Sequence, residues 1–162
     1  MSVADRQAIG TEILLIEDSH DDAQLALHAF GRRGLRERVL VVRDGQAAID
    51  RLLPLAGPVD GDAPLRPRLV LLDLKLPTLS GLDVLRLLKS AEGTRHIPVV
   101  VLTSSREARD IDAAHRLGAN AYLVKPVDFD AFQRMIGLLV DFWLGCNVTG
   151  HASPTAPEAL HG

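Results

Sequence analysis

The stretch LVLLDLKLP (Leu69–Pro77) decides how this chain is read. Four apolar residues run together with no polar alternation. A strand of a parallel sheet, covered on both faces, has that pattern. Asp73 ends the run, and Leu74 and Leu76 carry the apolar character past it. A carboxylate seldom sits in such a setting unless it is paired or binds a metal.

Working outward, four more short apolar runs appear: EILLIED (Glu12–Asp18), RVLVV (Arg38–Val42), IPVVVLT (Ile97–Thr103) and NAYLVK (Asn120–Lys125). Helical patterns separate them. Ser19 opens the first helix with Asp22 three residues on, the spacing of a capping box. Ala23, Ala26, Leu27 and Phe30 give it one apolar stripe, and Gly34 is placed to end it. Asp44 caps a second helix that Pro54 stops. Ser80 with Asp83, Ser104 with Glu107, and Asp128 open three more, the last reaching about Leu144. Five strands alternating with five helices predict an α/β protein, a parallel sheet with helices on both faces. The Pro-, Gly- and Asp-rich segment 54–68 reads as a long surface loop. The aperiodic segment 145–162 reads as a flexible tail. The predicted organisation is an N-terminal segment 1–11, one domain over 12–144, and that tail.

Ligands of open α/β sheets bind outside the carboxyl ends of the strands. The first strand ends on Glu17 and Asp18, the third on Asp73, the fourth on Thr103 and the fifth on Lys125. The second ends on Arg43 and Asp44, and Asp44 is assigned to capping. Neighbouring carboxylates repel one another and invite a hard divalent cation; Mg²⁺ takes one or two of them and keeps waters. A carboxylate acts as a nucleophile without a general base, giving an aspartyl phosphate. Phosphoryl transfer then needs positioning and charge neutralisation. Asp73 is the candidate nucleophile, Mg²⁺ on Asp18 and Asp73 neutralises one side, Lys125 another, and the Thr103 hydroxyl donates to a phosphoryl oxygen. Taken singly, each residue has a simpler reading as a cap or a solvated charge. Their joint placement at four strand ends carries the functional one.

Bulk properties narrow the class. A net charge of −3 and a pI near 6.0 give no electrostatic footprint for nucleic acid. No apolar run is long enough to span a bilayer. The N-terminus lacks the regions of a signal peptide. A single cysteine, Cys146, excludes an internal disulfide and fits a reducing, cytoplasmic location. The six histidines lack ligand spacing.

The motifs LLIEDS, LVLLDLKLP…SGLDVL, IPVVVLTSS and AYLVKPVDF resemble the receiver domain of two-component response regulators, from about Glu12 to Leu144. The resemblance implies the doubly wound fold of the chemotaxis regulator CheY, with strand order 2-1-3-4-5. It implies that Asp73 is the phosphoacceptor. Asp18, Asp73 and the Lys75 backbone carbonyl become direct Mg²⁺ ligands, and Glu17 binds through water. Thr103 and Tyr122 become the switch pair, and Lys125 the lysine that pairs with the phosphate. A cis Lys125–Pro126 bond is also implied. RDGQAAIDRLL, the long loop, KPVDFDAF and DFWL narrow the resemblance to small regulators paired with bacterial phytochrome histidine kinases, with no output domain following. Lys75 stands two residues past the nucleophile, where a long side chain predicts obstruction of hydrolytic water.

Two rivals remain. A Mg²⁺-dependent aspartyl-phosphate phosphohydrolase usually carries a second Asp where this chain has Lys75. A flavodoxin-like electron carrier needs a phosphate-cradling loop where this chain has the acidic EDSHDD. The last helix adds an expectation of its own. Phe132, Ile136, Leu139 and Trp143 form a docking stripe, and Ala131, Met135, Leu138 and Phe142 form a second beside it. Two stripes exceed what a helix on a sheet normally buries. This predicts a homodimer through Met135, Leu138 and Phe142, unless the tail folds back over them.

Overall fold

In the computed structural model of the chain, residues 10–53 and 63–147 are described. The strands are β1 (Ile13–Ile16), β2 (Val39–Val42), β3 (Leu69–Leu72), β4 (Val99–Thr103) and β5 (Ala121–Val124). They form one sheet in the order β2-β1-β3-β4-β5, every neighbouring pair parallel. Five α-helices follow them: α1 (His20–Gly31), α2 (Gly45–Leu52), α3 (Gly81–Ser90), α4 (Ala108–Arg116) and α5 (Phe129–Leu139). The doubly wound fold and the strand order predicted from the sequence are both present.

Burial follows from the two-residue period of a strand. Leu14 and Ile16 of β1, Val70 and Leu72 of β3, and Val99 and Val101 of β4 face α2, α3 and α4. Ile13, Leu15, Leu69, Leu71, Val100 and Leu102 face α1 and α5. The three central strands are buried along their whole length, whereas β2 and β5, at the sheet edges, are half-buried. Each buried Leu, Ile or Val contributes roughly 1.5–3 kcal/mol, so the central strands are held firmly and their carboxyl ends are fixed in space.

The predicted caps hold for four helices. Ser19, Asp44, Ser80 and Asp128 each accept a backbone N–H from three residues on. The fourth helix corrects the reading. It begins at Ala108, after Glu107, which makes no side-chain cap bond. Ser104 does not cap it; Ser105 makes the local bonds instead, its hydroxyl accepting the Glu107 N–H at 3.3 Å and donating to Asp110 at 2.5 Å. The last helix also differs. After Leu139 the chain continues as a π-helical turn over Val140–Cys146. Arg33 pairs with Asp141 at 2.5 Å, and Arg68 donates to the Leu144 carbonyl at 2.8 Å, both from outside the turn. The Lys125–Pro126 bond is trans, as are all bonds among the described residues. Trans is the lower-energy form even before proline, and the cis expectation is corrected. Most of the predicted 54–68 loop and almost all of the 145–162 tail, with its proposed fold-back, lie outside the described residues.

The loop after β3 is tied down closely. Thr78 has φ of 67°, a strained value for a β-branched residue. Its hydroxyl donates to Asp44 at 2.9 Å and accepts the Gln46 N–H at 3.1 Å. Gly81 opens α3 directly against the end of β3: a Cβ there would lie 2.2 Å from the Asp73 carbonyl oxygen and 2.5 Å from Leu74 Cα. Neither backbone atom can move without displacing Asp73. Gly31, near the end of α1, has ordinary room, with Arg36 Cβ at 3.8 Å. Gly81→Ala is therefore expected to lower stability by about 1–3 kcal/mol through overpacking. Gly31→Ala is expected to raise it by about 0.5–1 kcal/mol through helix propensity. Urea unfolding of both variants checks the opposite signs.

Candidate functional site

The carboxyl ends of β1, β3 and β5 meet around one ammonium group. Lys125 Nζ donates to Glu17 Oε2 at 2.6 Å, to Asp22 Oδ2 at 2.8 Å and to Asp73 Oδ2 at 3.0 Å. Its three donors are thereby filled. The lysine reaches this point because β5 pairs with β4 in register up to Thr103 and Val124, and its N–H bonds to the Thr103 carbonyl at 2.8 Å. Asp73 is held from the other side, its N–H bonded to the Ile16 carbonyl at 3.0 Å.

Glu17 and Asp73 are both buried, yet their pKa values shift in opposite directions. Burial pushes the Glu17 carboxyl up to about 7, and repulsion from Asp73 adds to this against the hydrogen bond and charge of Lys125. Burial pulls Asp73 the same way. For Asp73, however, the charge and hydrogen bond of Lys125, with hydrogen bonds from Thr103 and Glu17, win and hold it below the usual carboxylate range. Burial opposes the charge on Lys125, but hydrogen bonds to Asp22, Glu17 and Asp73 more than offset it and raise its pKa. At neutral pH the site therefore offers an ionised Asp73 beside a permanent cation. An anionic nucleophile with a fixed positive charge at hand suits attack on a phosphoryl group.

The other predicted residues are placed as follows. Asp18 follows Glu17 at the end of β1 and is exposed. Lys75 is exposed, and its N–H points to Asp73 Oδ1 at 3.4 Å. Thr103 is buried at the end of β4. Tyr122, half-buried on β5, donates its hydroxyl to the Ser105 carbonyl at 2.9 Å, which ties it to the loop after Thr103. Met135 is half-buried, whereas Leu138 is 70% exposed and Phe142 53%. These three line a groove of about 800 Å³ with Leu123, Pro126 and Ala131, away from the acidic rim.

Asp22 was missed as a site residue, because its spacing from Ser19 read as a capping box. The signal available was a third acid within one helical turn of the Glu17–Asp18 pair.

The donor set fits a hard cation. Glu17, Asp22 and Asp73 share a single ammonium, so the rim has more carboxylates than Lys125 can neutralise, and burial together with repulsion from Asp73 raises the Glu17 pKa to about 7. Among the described residues, no three acidic, histidine or cysteine side chains enclose a metal by themselves. A cation here would draw on one or two carboxylates, a backbone carbonyl and water, which is the habit of Mg²⁺.

Comparison with known proteins agrees with this chemistry. Residues 13–137 match the response regulator receiver domain family. The chain is 43% identical over 135 residues to the probable methanogenesis regulatory protein FilR2 of Methanothrix harundinacea, covering 83% of this chain and 84% of that protein. It is 36% identical over 132 residues to the response regulator Rcp1 of Synechocystis, covering 82% and 88%. The structure of Mn²⁺-bound Rcp1 is similar with a TM-score of 0.76 at 33% identity, covering 86% of this chain and 98% of that one. The phosphorylated cyanobacterial phytochrome response regulator RcpA is similar with a TM-score of 0.78 at 31% identity, covering 87% and 99%. With its 2-1-3-4-5 sheet and an aspartate at the end of the central strand, this chain belongs to the response regulator receiver domain family.

Proposed function

We propose that Asp73 takes a phosphoryl group from the phosphohistidine of a bacteriophytochrome-type histidine kinase, and that the resulting acyl phosphate switches a protein-interaction surface. The observation that carries this is the ionised Asp73 carboxylate, fixed at the end of a fully buried strand, 3.0 Å from Lys125 Nζ. One carboxylate oxygen forms a bond to phosphorus as the bond from phosphorus to the imidazole nitrogen breaks, and the electron pair of that bond leaves with the imidazole. Lys125 and the Thr103 hydroxyl are aligned to meet the oxygens of the new acyl phosphate. Mg²⁺, held by Asp18, Asp73 and the Lys75 carbonyl, with Glu17 through water, supplies further charge neutralisation when bound. Mn²⁺ in the Rcp1 relative supports a divalent ion of this kind.

Thr103 and Tyr122 form the read-out in this reading. Tyr122 is bonded to the Ser105 carbonyl, so a movement of Thr103 toward a phosphoryl group is felt two residues on. The comparisons favour neither the phosphohydrolase nor the electron carrier, and Lys75 stands where the former usually has its acid.

The surface switched is the groove along α5. Leu138 and Phe142 leave an apolar strip open to water, of the kind that marks interaction sites. A second copy of the chain is the proposed occupant. No helix among the described residues is long and apolar enough to cross a membrane. A cytoplasmic location, with one receiver unit over 12–144, accompanies this reading.

Three outcomes are expected. Acetyl phosphate with Mg²⁺ adds one phosphoryl group to the wild type, read by intact mass and borohydride trapping, and adds none to Asp73→Asn. Asp18→Ala weakens Mg²⁺ binding by more than about tenfold in calorimetry. Its thermal midpoint is not lowered, since one of several mutually repelling acids is gone. Wild type sediments as a dimer at tens of micromolar, and the double variant Leu138→Glu/Phe142→Glu sediments as a monomer; a wild type that stays monomeric with and without acetyl phosphate rules the dimer out.

A further inference from the structure

The first turn of α1 is wired differently from a capping box. In that motif the third helical residue returns its side chain to the N–H of the capping residue. Here the Ser19 N–H is already taken by Glu17 Oε1 at 3.0 Å. Ser19 Oγ still accepts the Asp22 N–H at 3.2 Å. The Asp22 carboxylate is therefore released from the helix end, and it turns to Lys125 Nζ at 2.8 Å.

Lys125 is buried at the rim, its side chain only 9% exposed. Its three acceptors differ in what the proposed reaction does to them. Asp73 gives an oxygen to the acyl phosphate, which removes the charge that Lys125 faced. Glu17 lies beside the cation site. Asp22, 37% exposed and on a helix rather than a strand end, has neither task. Its bond to the ammonium is the one that persists unchanged from carboxylate to acyl phosphate.

We propose that Asp22 is a positioning residue: it anchors the Lys125 ammonium from the α1 side, so that the donor released when Asp73 is phosphorylated is already directed at the phosphoryl oxygens. This rests on the reading of Asp73 as phosphoacceptor. Without the anchor, the lysine relaxes toward Glu17, and it must be re-oriented each time a phosphoryl group arrives. A solvated ion pair of Asp22 with an exposed lysine would contribute little. The burial of Lys125 is what gives this pair its consequence.

The test uses the full chain as wild type, Asp22→Ala, Asp22→Asn and Asp73→Asn. Initial phosphorylation rates are measured with acetyl phosphate and saturating Mg²⁺, Mg²⁺ affinity by calorimetry, and folding by thermal unfolding. Asp22→Ala is expected to slow phosphorylation on the order of tenfold, the worth of one charge-assisted hydrogen bond. Its Mg²⁺ affinity is expected to stay within about twofold of wild type. Asp22→Asn keeps an acceptor oxygen at the same place and is expected to recover about half of the loss on a logarithmic scale. An Asp22→Ala rate equal to wild type overturns the proposal. So does a Mg²⁺ affinity that falls in step with the rate, which makes Asp22 part of the cation site. Asp22→Asn no faster than Asp22→Ala overturns it too. If Asp22→Ala does not fold, Asp22→Asn decides alone: a two- to fivefold loss supports the role, roughly, and a wild-type rate refutes it. Wild type that takes no label, or label that persists in Asp73→Asn, refutes the phosphoacceptor reading itself. Label confined to Asp73 with an unaffected Asp22→Ala refutes only the role of Asp22.

Discussion

The bonds from Lys125 to Glu17, Asp22 and Asp73 are what allow this sheet to keep its acids at one edge. Parallel strands in register bring their carboxyl ends together whatever residues stand there. In this chain they bring carboxylates, two of them buried. Burying one unpaired carboxylate is costly, and a second like charge nearby adds to it. One ammonium answers part of that cost, and the Glu17 pKa, raised to about 7, answers another part. Asp73 stays ionised because Lys125 and its hydrogen bonds outweigh desolvation.

This arrangement depends on rigidity behind it. Asp73 follows four residues with no exposed surface, and Gly81 packs against its carbonyl so closely that no side chain fits between. Thr78, held in an unfavourable backbone conformation by Asp44 and Gln46, fixes the loop carrying Lys75. Asp73 is thus set by backbone contacts with Ile16 and Gly81. The groups proposed to respond to it, Thr103 and Tyr122, belong to the neighbouring strands and the half-buried edge. Thr103 is as buried as Asp73, and Tyr122, half-buried on the edge strand, is the more open of the two.

The edge of the molecule at α5 follows another rule. Phe132, Ile136 and Leu139 are buried as the first stripe requires. In the second stripe Met135 is half-buried, and Leu138 and Phe142 remain open. Phe142 and Trp143 meet edge to face at 4.9 Å within the π-helical turn. That turn widens the helix just where the docking stripe would have continued. Arg33, after α1, and Arg68, before β3, bond to it there. The apolar excess of the last helix is a property of the residues themselves.

The sequence by itself determined the sheet, its alternation with helices, most of the caps and the set of strand-end residues. Those features rest on periodicity and on local bonds three residues apart, which a linear chain displays directly. The meeting of Glu17, Asp73 and Lys125 at one edge was legible for the same reason, since a strand end is a position in sequence as much as in space. Tertiary structure alone decided the rest. Asp22 has the spacing of a cap, yet its carboxylate bonds to Lys125, while Glu17 takes the Ser19 N–H. Ser105, not Ser104, bonds to Asp110 at the fourth helix. The last turn is π-helical, and two distant arginines bond to it. In each case competing partners stood within reach of one donor or acceptor. A local pattern names the possible bonds, but only the packed chain fixes which of them can form together.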